Sequence, residues 1–142
     1  MFNEEMFVKR LQKERFLREE AERLEREEQE RQERERLRRL QEMKEMGYSD
    51  STAHMYDLTL EEIETIEKTI DLMSKNQDDH YSANFLNCIP YKTRNKMLTH
   101  VRETAGDSGS DQDDVAYLEG WIKGFVFVWN NLKRRVYDEA GR

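Results

Sequence analysis

From Glu27 to Arg36 the chain reads Glu-Glu-Gln-Glu-Arg-Gln-Glu-Arg-Glu-Arg, with no apolar side chain at any position. Apolar residues appear on either side of this bare stretch. Before it come Met6, Phe7, Leu11, Leu17, Ala21 and Leu24, which at ~100° per residue share one face about 140° wide. After it, Leu40, Met43 and Met46 return to about the same face. No proline or glycine interrupts the run until Gly47. The pattern predicts one helix over residues 1–46, on the order of 65 Å long at ~1.5 Å per residue.

Charge supports that helix. Two ladders of alternating sign run along it at four-residue spacing. One is Arg10, Glu14, Arg18, Glu22, Arg26, Glu30, Arg34; the other is Arg15, Glu19, Arg23, Glu27, Arg31, Glu35, Arg39. Residues four apart stack on a helix surface, so each rung can meet the next. A helix that is polar all round is held by such pairs or bridges through solvent. Asn3 is placed to cap the first turn ahead of Glu4 and Glu5, and Gly47 to end the helix as the residue just past its last turn. The three parts are an apolar end (2–24), a bare spacer (25–36) and a root (37–46). Because 25–36 offers no apolar a and d positions, the helix reads as a single helix or partial coiled coil, without a sustained two-stranded seam.

Residues 47–58 read as a turn-rich connector containing Gly-Tyr-Ser-Asp-Ser-Thr. Met46-Gly47-Tyr48, with Ala53 after it, is similar to the Met-Gly-Phe/Tyr loop of ubiquitin-associated domains. That family takes small and apolar residues in the next helix, where this chain has Tyr56 and Asp57, so a helix end followed by a loop is the reading taken.

The next helix has a clear start. Thr59 with Glu62 three residues on makes a capping box, and Leu58 with Ile63 makes a hydrophobic staple. Leu60, Ile63, Ile66, Ile70 and Met73 then repeat at three and four to about Lys75, with Glu61, Glu62, Glu64, Glu67 and Asp71 outward. Asn76 to Asp79 closes it. Residues 81–104 form two short helices split at Pro90, which cannot continue a helix but can begin one. Phe85, Leu86 and Ile89 pack on one side of the break, and Met97, Leu98 and Val101 on the other.

Ala105 to Asp114 is small, polar and acidic, the pattern of an exposed loop. The last helix, about 114–138, carries the widest apolar face: Leu118, Trp121, Ile122, Phe125, Val128, Trp129, Leu132 and Val136. It is the expected centre of the core. Gly120 and Gly124 have the spacing of a close helix contact. The fold class is all-α, a long charged helix projecting from a small helical bundle, organised as 1–46 docking arm, 47–58 connector and 59–142 helical domain with an acidic loop at 105–113.

The 142 residues carry a net charge of −7. Residues 1–46 hold 13 basic and 14 acidic groups, and the remainder 11 and 17. The arginines are matched by glutamates one turn away, which leaves no basic stripe for nucleic acid. Lys92, Arg94, Lys96 and Lys133, Arg134, Arg135 are local basic patches only. The single cysteine, Cys88, rules out an intrachain disulfide framework and fits a reducing, cytoplasmic setting. It reads as a small buried apolar residue. No apolar run is long enough to span a membrane, and the acidic N-terminus does not read as a signal or transit peptide.

Candidate chemistry is sparse. Gly106-Asp107-Ser108-Gly109 resembles the nucleophile loop of chymotrypsin-like serine proteases, but that family needs two β-barrels and a separately placed His and Asp. Asp107, Asp111, Asp113 and Asp114 miss the calcium register of an EF-hand, because Gly109 stands at its third position. His54, His80, His100 and Cys88 match no zinc spacing. Ser108 and Ser110 each have an acid three residues on, a pattern for an acid-directed kinase. The chain is therefore read as non-enzymatic, without metal or cofactor. Phe2, Met6, Phe7, Leu11, Leu17 and Leu24 are the residues expected to bind a protein partner or a second copy. Long charged helices of this kind suit structural and scaffolding proteins, viral ones included. The alternative is an acidic regulator that blocks a basic surface of a nucleic-acid-handling protein, using the acids of 59–75 and of the loop.

Overall fold

A computed structural model of the chain describes residues 1–75, 81–106 and 111–138. It contains α1 (Glu4–His54), a 3₁₀ turn (Met55–Asp57), α2 (Leu60–Lys75), α3 (Tyr81–Cys88), α4 (Tyr91–Ala105) and α5 (Asp111–Tyr137). No strand occurs among the described residues, and the fold is all-α: a long N-terminal helix and a bundle of four shorter helices. The chain divides into two compact units, Met1–Arg38 and Arg39–Arg142.

The first unit is helix from Glu4 onward. Asn3 caps it as expected, its side-chain oxygen accepting from the Met6 amide at 3.2 Å and its carbonyl from the Phe7 amide at 3.1 Å. The charge pairs form in a different pattern from a simple four-residue ladder. Arg23 reaches back three residues to Glu20 and forward four to Glu27 at 2.8 Å. Arg31 does the same with Glu28 at 2.6 Å and Glu35 at 2.8 Å, and Arg36 turns back to Glu33 at 2.6 Å. Each guanidinium fork holds the carboxyls of Glu20, Glu28 and Glu33 below the ordinary range, chiefly by hydrogen bonding. Of the second ladder, the steps Arg15–Glu19, Arg23–Glu27 and Arg31–Glu35 are present.

The second unit begins inside α1, and here the expectation for Gly47 is overturned. The helix runs through Gly47 to His54, so the segment read as a connector is helical up to the 3₁₀ turn. Met43, Gly47 and Ser51 are the buried residues of α1, four apart on one face. Alongside that face, Lys44, Tyr48 and Ser51 meet Gly120 and Gly124 of α5. A Cβ on Gly47 would strike the Tyr117 carbonyl and lie 2.8 Å from the Trp121 nitrogen. One on Gly120 would strike the Lys44 carbonyl, and one on Gly124 would lie 2.6 Å from the Tyr48 carbonyl and collide with the Ser51 hydroxyl. The glycines are there because two helix backbones touch, as small residues allow. The cost of glycine inside a helix, ~0.8–1 kcal/mol against alanine, is set against that close contact. Met46-Gly47-Tyr48 is accordingly mid-helix, and its likeness to a ubiquitin-associated loop does not extend to structure.

Ion pairs border the crossing. Arg39 binds the buried carboxylate of Asp113 at 3.0 Å and also donates to the Ala105 carbonyl at 3.0 Å. Lys44 pairs with Glu119 at 3.2 Å. Asp111, Asp113 and Asp114, expected in an exposed loop, instead form the first turn of α5, where acids suit the positive end of the helix dipole. The loop residues 107–110, with Ser108 and Ser110, lie outside the described residues. So do residues 76–80, with His80 and the end expected for the second helix.

The core centres on α5 as anticipated. Trp121 is fully buried, stacked on Phe125 at 5.7 Å and met edge-on by Phe85 at 5.7 Å. Ile66, Met97, Met43 and Tyr117 close around it. The capping box forms at α2: the Glu62 amide donates to Thr59 Oγ1 at 3.2 Å, and the Thr59 amide to Glu62 Oε1 at 2.8 Å. Pro90 separates α3 from α4. Leu98, Leu132 and Val136, assigned to the core by periodicity, are exposed instead. Cys88 is half-buried, its thiol directed at the Phe85 carbonyl at 2.9 Å, and burial pushes its pKa up.

Candidate interaction surfaces and a buried polar cluster

The six residues read from sequence as partner-binding all lie on the first unit, and all are exposed. Phe2, Met6, Phe7, Leu11, Leu17 and Leu24 range from 39% exposed at Phe7 to 69% at Met6. Two of them are brought together: the rings of Phe2 and Phe7 sit 5.3 Å apart. The Arg10 guanidinium lies over the Phe7 ring at 5.3 Å, so the cation covers one aromatic face and leaves the rest to water. Val8 and Phe16 are exposed on the same unit. They were missed because, at ~100° per residue, they fall off the stripe that selected the others.

A second apolar surface lies within the bundle. Met55, Ile63, Val128, Trp129, Leu132 and Val136 line a groove of about 620 Å³ between the last turns of α1, the start of α2 and the C-terminal half of α5. Ser49, Thr52, Ala53 and Tyr56 complete its wall, and no charged side chain is among its lining residues. Thr52 is satisfied locally, its hydroxyl donating to the Ser49 carbonyl at 2.7 Å. The Trp129 indole N–H is buried with no acceptor among the described residues. Beyond the groove, Lys133 pairs with Glu67 at 3.1 Å and Tyr137 donates to Glu64 at 2.7 Å, tying α5 to α2. That bond raises the Tyr137 hydroxyl to about 12.

The third feature is polar. Asp50 Oδ2 accepts from the Tyr117 hydroxyl at 2.6 Å and lies 2.6 Å from His100 Nδ1, joining α1, α5 and α4. Burial first, and then the Asp50 carboxylate, pushes the Tyr117 pKa far up, so the phenol stays a donor. One turn on, His54 Nδ1 accepts from Trp121 Nε1 at 3.1 Å, which requires a neutral His54 with its proton on Nε2. Burial lowers the His54 pKa, in keeping with that role. The cluster positions helices. It holds no Ser or Cys beside a base, and its tyrosine is tuned away from the phenolate. Nothing in the sequence announced it, because Asp50, His100 and Tyr117 stand 50 and 67 residues apart and share no local pattern.

Among the described residues no three His, Cys, Asp or Glu side chains converge as a metal site, and no helix is long and apolar enough to cross a membrane. Comparison with protein-family models, with curated proteins and with solved structures finds no match to the chain.

Proposed function

We propose that this chain is a non-enzymatic assembly or adaptor protein that self-associates, or docks a protein partner, through the apolar end of α1. Phe2, Met6, Phe7, Leu11, Leu17 and Leu24 carry the contact. The observation behind this is their exposure on a helix whose neighbouring stretch, Glu25 to Arg36, is wholly polar. Large apolar side chains each gain ~1.5–3 kcal/mol on burial, so a stripe of six left in water favours association. The acidic-regulator alternative has less support, because several of its acids are already engaged. Glu64 and Glu67 bind Tyr137 and Lys133, and Asp113 binds Arg39. A reducing, cytoplasmic setting, or a place within a larger assembly such as a viral one, belongs to the same proposal and is supported by the lone Cys88.

Light scattering with and without residues 1–24, at low and high salt, tests the self-associating form. The full chain is expected well above the 17.2 kDa of one copy, at either ionic strength, and the truncated chain at one copy. A mass that collapses with salt would favour the charge-driven alternative.

A further inference from the structure

We infer that the apolar end of α1 pairs with the same segment of a second copy of this chain, as an antiparallel two-stranded coiled coil centred level with Gln12. This rests on the docking role proposed above and names its partner. Phe7, Arg10, Glu14, Leu17, Ala21 and Leu24 follow one another in steps of three and four residues, the spacing of a coiled-coil seam. The seam therefore carries charge as well as apolar bulk. In the second charge ladder Arg15, Arg23 and Arg31 each bind the glutamate four residues on. On the seam side, Arg10, Glu14 and Arg18 make no hydrogen bond or ion pair among the described residues. Arg10 lies over the Phe7 ring, with its guanidinium edge open. Whatever covers this face has to answer those charges, because a charge taken out of water without a partner is costly.

A second copy answers them in one orientation. Run antiparallel about a two-fold level with Gln12, Phe7 faces the second copy's Leu17 and Arg10 faces its Glu14, and the two-fold repeats both contacts in reverse. Beside the seam, Leu11 meets its own counterpart and Arg18 meets the second copy's Glu4. On the other flank Lys13 lies near its counterpart at the rim, in water, where like charges are screened. A parallel pair would set Arg10 against Arg10 and Glu14 against Glu14. Sliding the antiparallel pair by one heptad in either direction would set Arg10 against Ala21 or against Phe7, leaving it without an acid. Apolar side chains thus supply the affinity, and the charges fix direction and register, the part that polar residues play in coiled-coil seams. The apolar segment pairs with itself, and the bare spacer takes no part.

The test uses full-length charge variants read by light scattering. Arg10→Glu sets acid against acid, and Glu14→Arg sets base against base. Each alone is expected to fall from a two-chain mass to the 17.2 kDa of one copy. An equimolar mixture of the two is expected to recover the two-chain mass, because each chain then meets opposite charge on the other. A chain carrying both Arg10→Glu and Glu14→Arg is expected to pair with itself as the wild type does. Single variants that keep the wild-type mass overturn the pairing. So does a mixture that stays at one copy; recovery in the double variant alone would place the effect of the charges within each helix. In either case the docking role stands if Phe7→Glu, Leu11→Glu and Leu17→Glu together still lower the mass of the full chain. A wild type that runs as one copy overturns the pairing and leaves the docking role only with a different protein.

Discussion

Helix α1 is one element supported by two kinds of physics. From Glu4 to Arg38 its charged side chains meet others three or four residues away in the same helix. From Arg39 to His54 it is held by other helices: glycine-mediated contact with α5, the Arg39–Asp113 pair, and the bonds of Asp50 and His54 to Tyr117, His100 and Trp121. Local pairs in water are weak, screened by salt, and individually dispensable. Buried contacts between helices are specific, so a single added methyl group can offend them. The comparison separates what a helix needs in order to exist from what it needs in order to belong to a core.

The sharpest way to break this contrast is to empty the core. Trp121→Ala should destabilise the second unit by ~3–5 kcal/mol in chemical denaturation, as for other large aromatic truncations. Gln29→Ala in the first unit, an exposed position outside the proposed contact, should stay within about 0.5 kcal/mol, as surface changes do. Gly120→Ala comes next. Its new methyl meets the Lys44 backbone, which cannot rotate away, so a loss of ~1–3 kcal/mol is expected in place of the gain that Gly→Ala normally brings inside a helix. A stabilised Gly120→Ala would show that the helices do not touch there. Thr59→Ala should cost ~0.5–2 kcal/mol by removing the cap seen at α2.

The smallest effects are those of pH, and they differ between the regions. His54 has its pKa held below the ordinary 6.5 by burial, so the folded second unit binds its proton less readily than the unfolded chain does. Its contribution is complete above 6.5 and is lost as pH falls from there through the depressed folded value. His54→Gln should flatten that part of a stability–pH curve followed by tryptophan fluorescence. Glu20, Glu28 and Glu33 have pKa values held below 4.5 by their arginines. Their pairing is complete above 4.5 and is lost as pH falls through the lowered values. Circular dichroism of the full chain should lose ellipticity over that lower range, and the loss should shrink in high salt, where the pairs are already screened.

Much of this was legible in the sequence because it is written locally. The capping box at Thr59, the break at Pro90 and the apolar periodicity of α5 are short-range signals, and each leads to the element found. Gly47 was misread for the same reason: by local propensity a glycine after a long helix ends it. Here the decisive fact is Gly120, more than seventy positions away, whose spacing with Gly124 hinted at close contact without naming the partner. Val136 and Leu132 show the limit of periodicity, which marks a face as apolar but cannot tell a core from an open groove. The stripe from Phe2 to Leu24 was readable as apolar and helical, and its exposure became visible only once the bundle was seen to fill its own core with other residues.

The central claim is that Phe7, Leu11 and Leu17 serve contacts between molecules and take no part in the core. The most direct measurement combines light scattering with a thermal melt on the full chain carrying Phe7→Glu, Leu11→Glu and Leu17→Glu. The melt is read from the fluorescence of Trp121 and Trp129 at a dilution where the wild type has also dissociated, since association itself raises a midpoint. The account predicts that at working concentration the mass falls to that of a single chain, and that on dilution the midpoint equals the wild type's. A midpoint that drops would mean these residues pack on their own bundle, and an unchanged mass would mean they join no two copies of the chain.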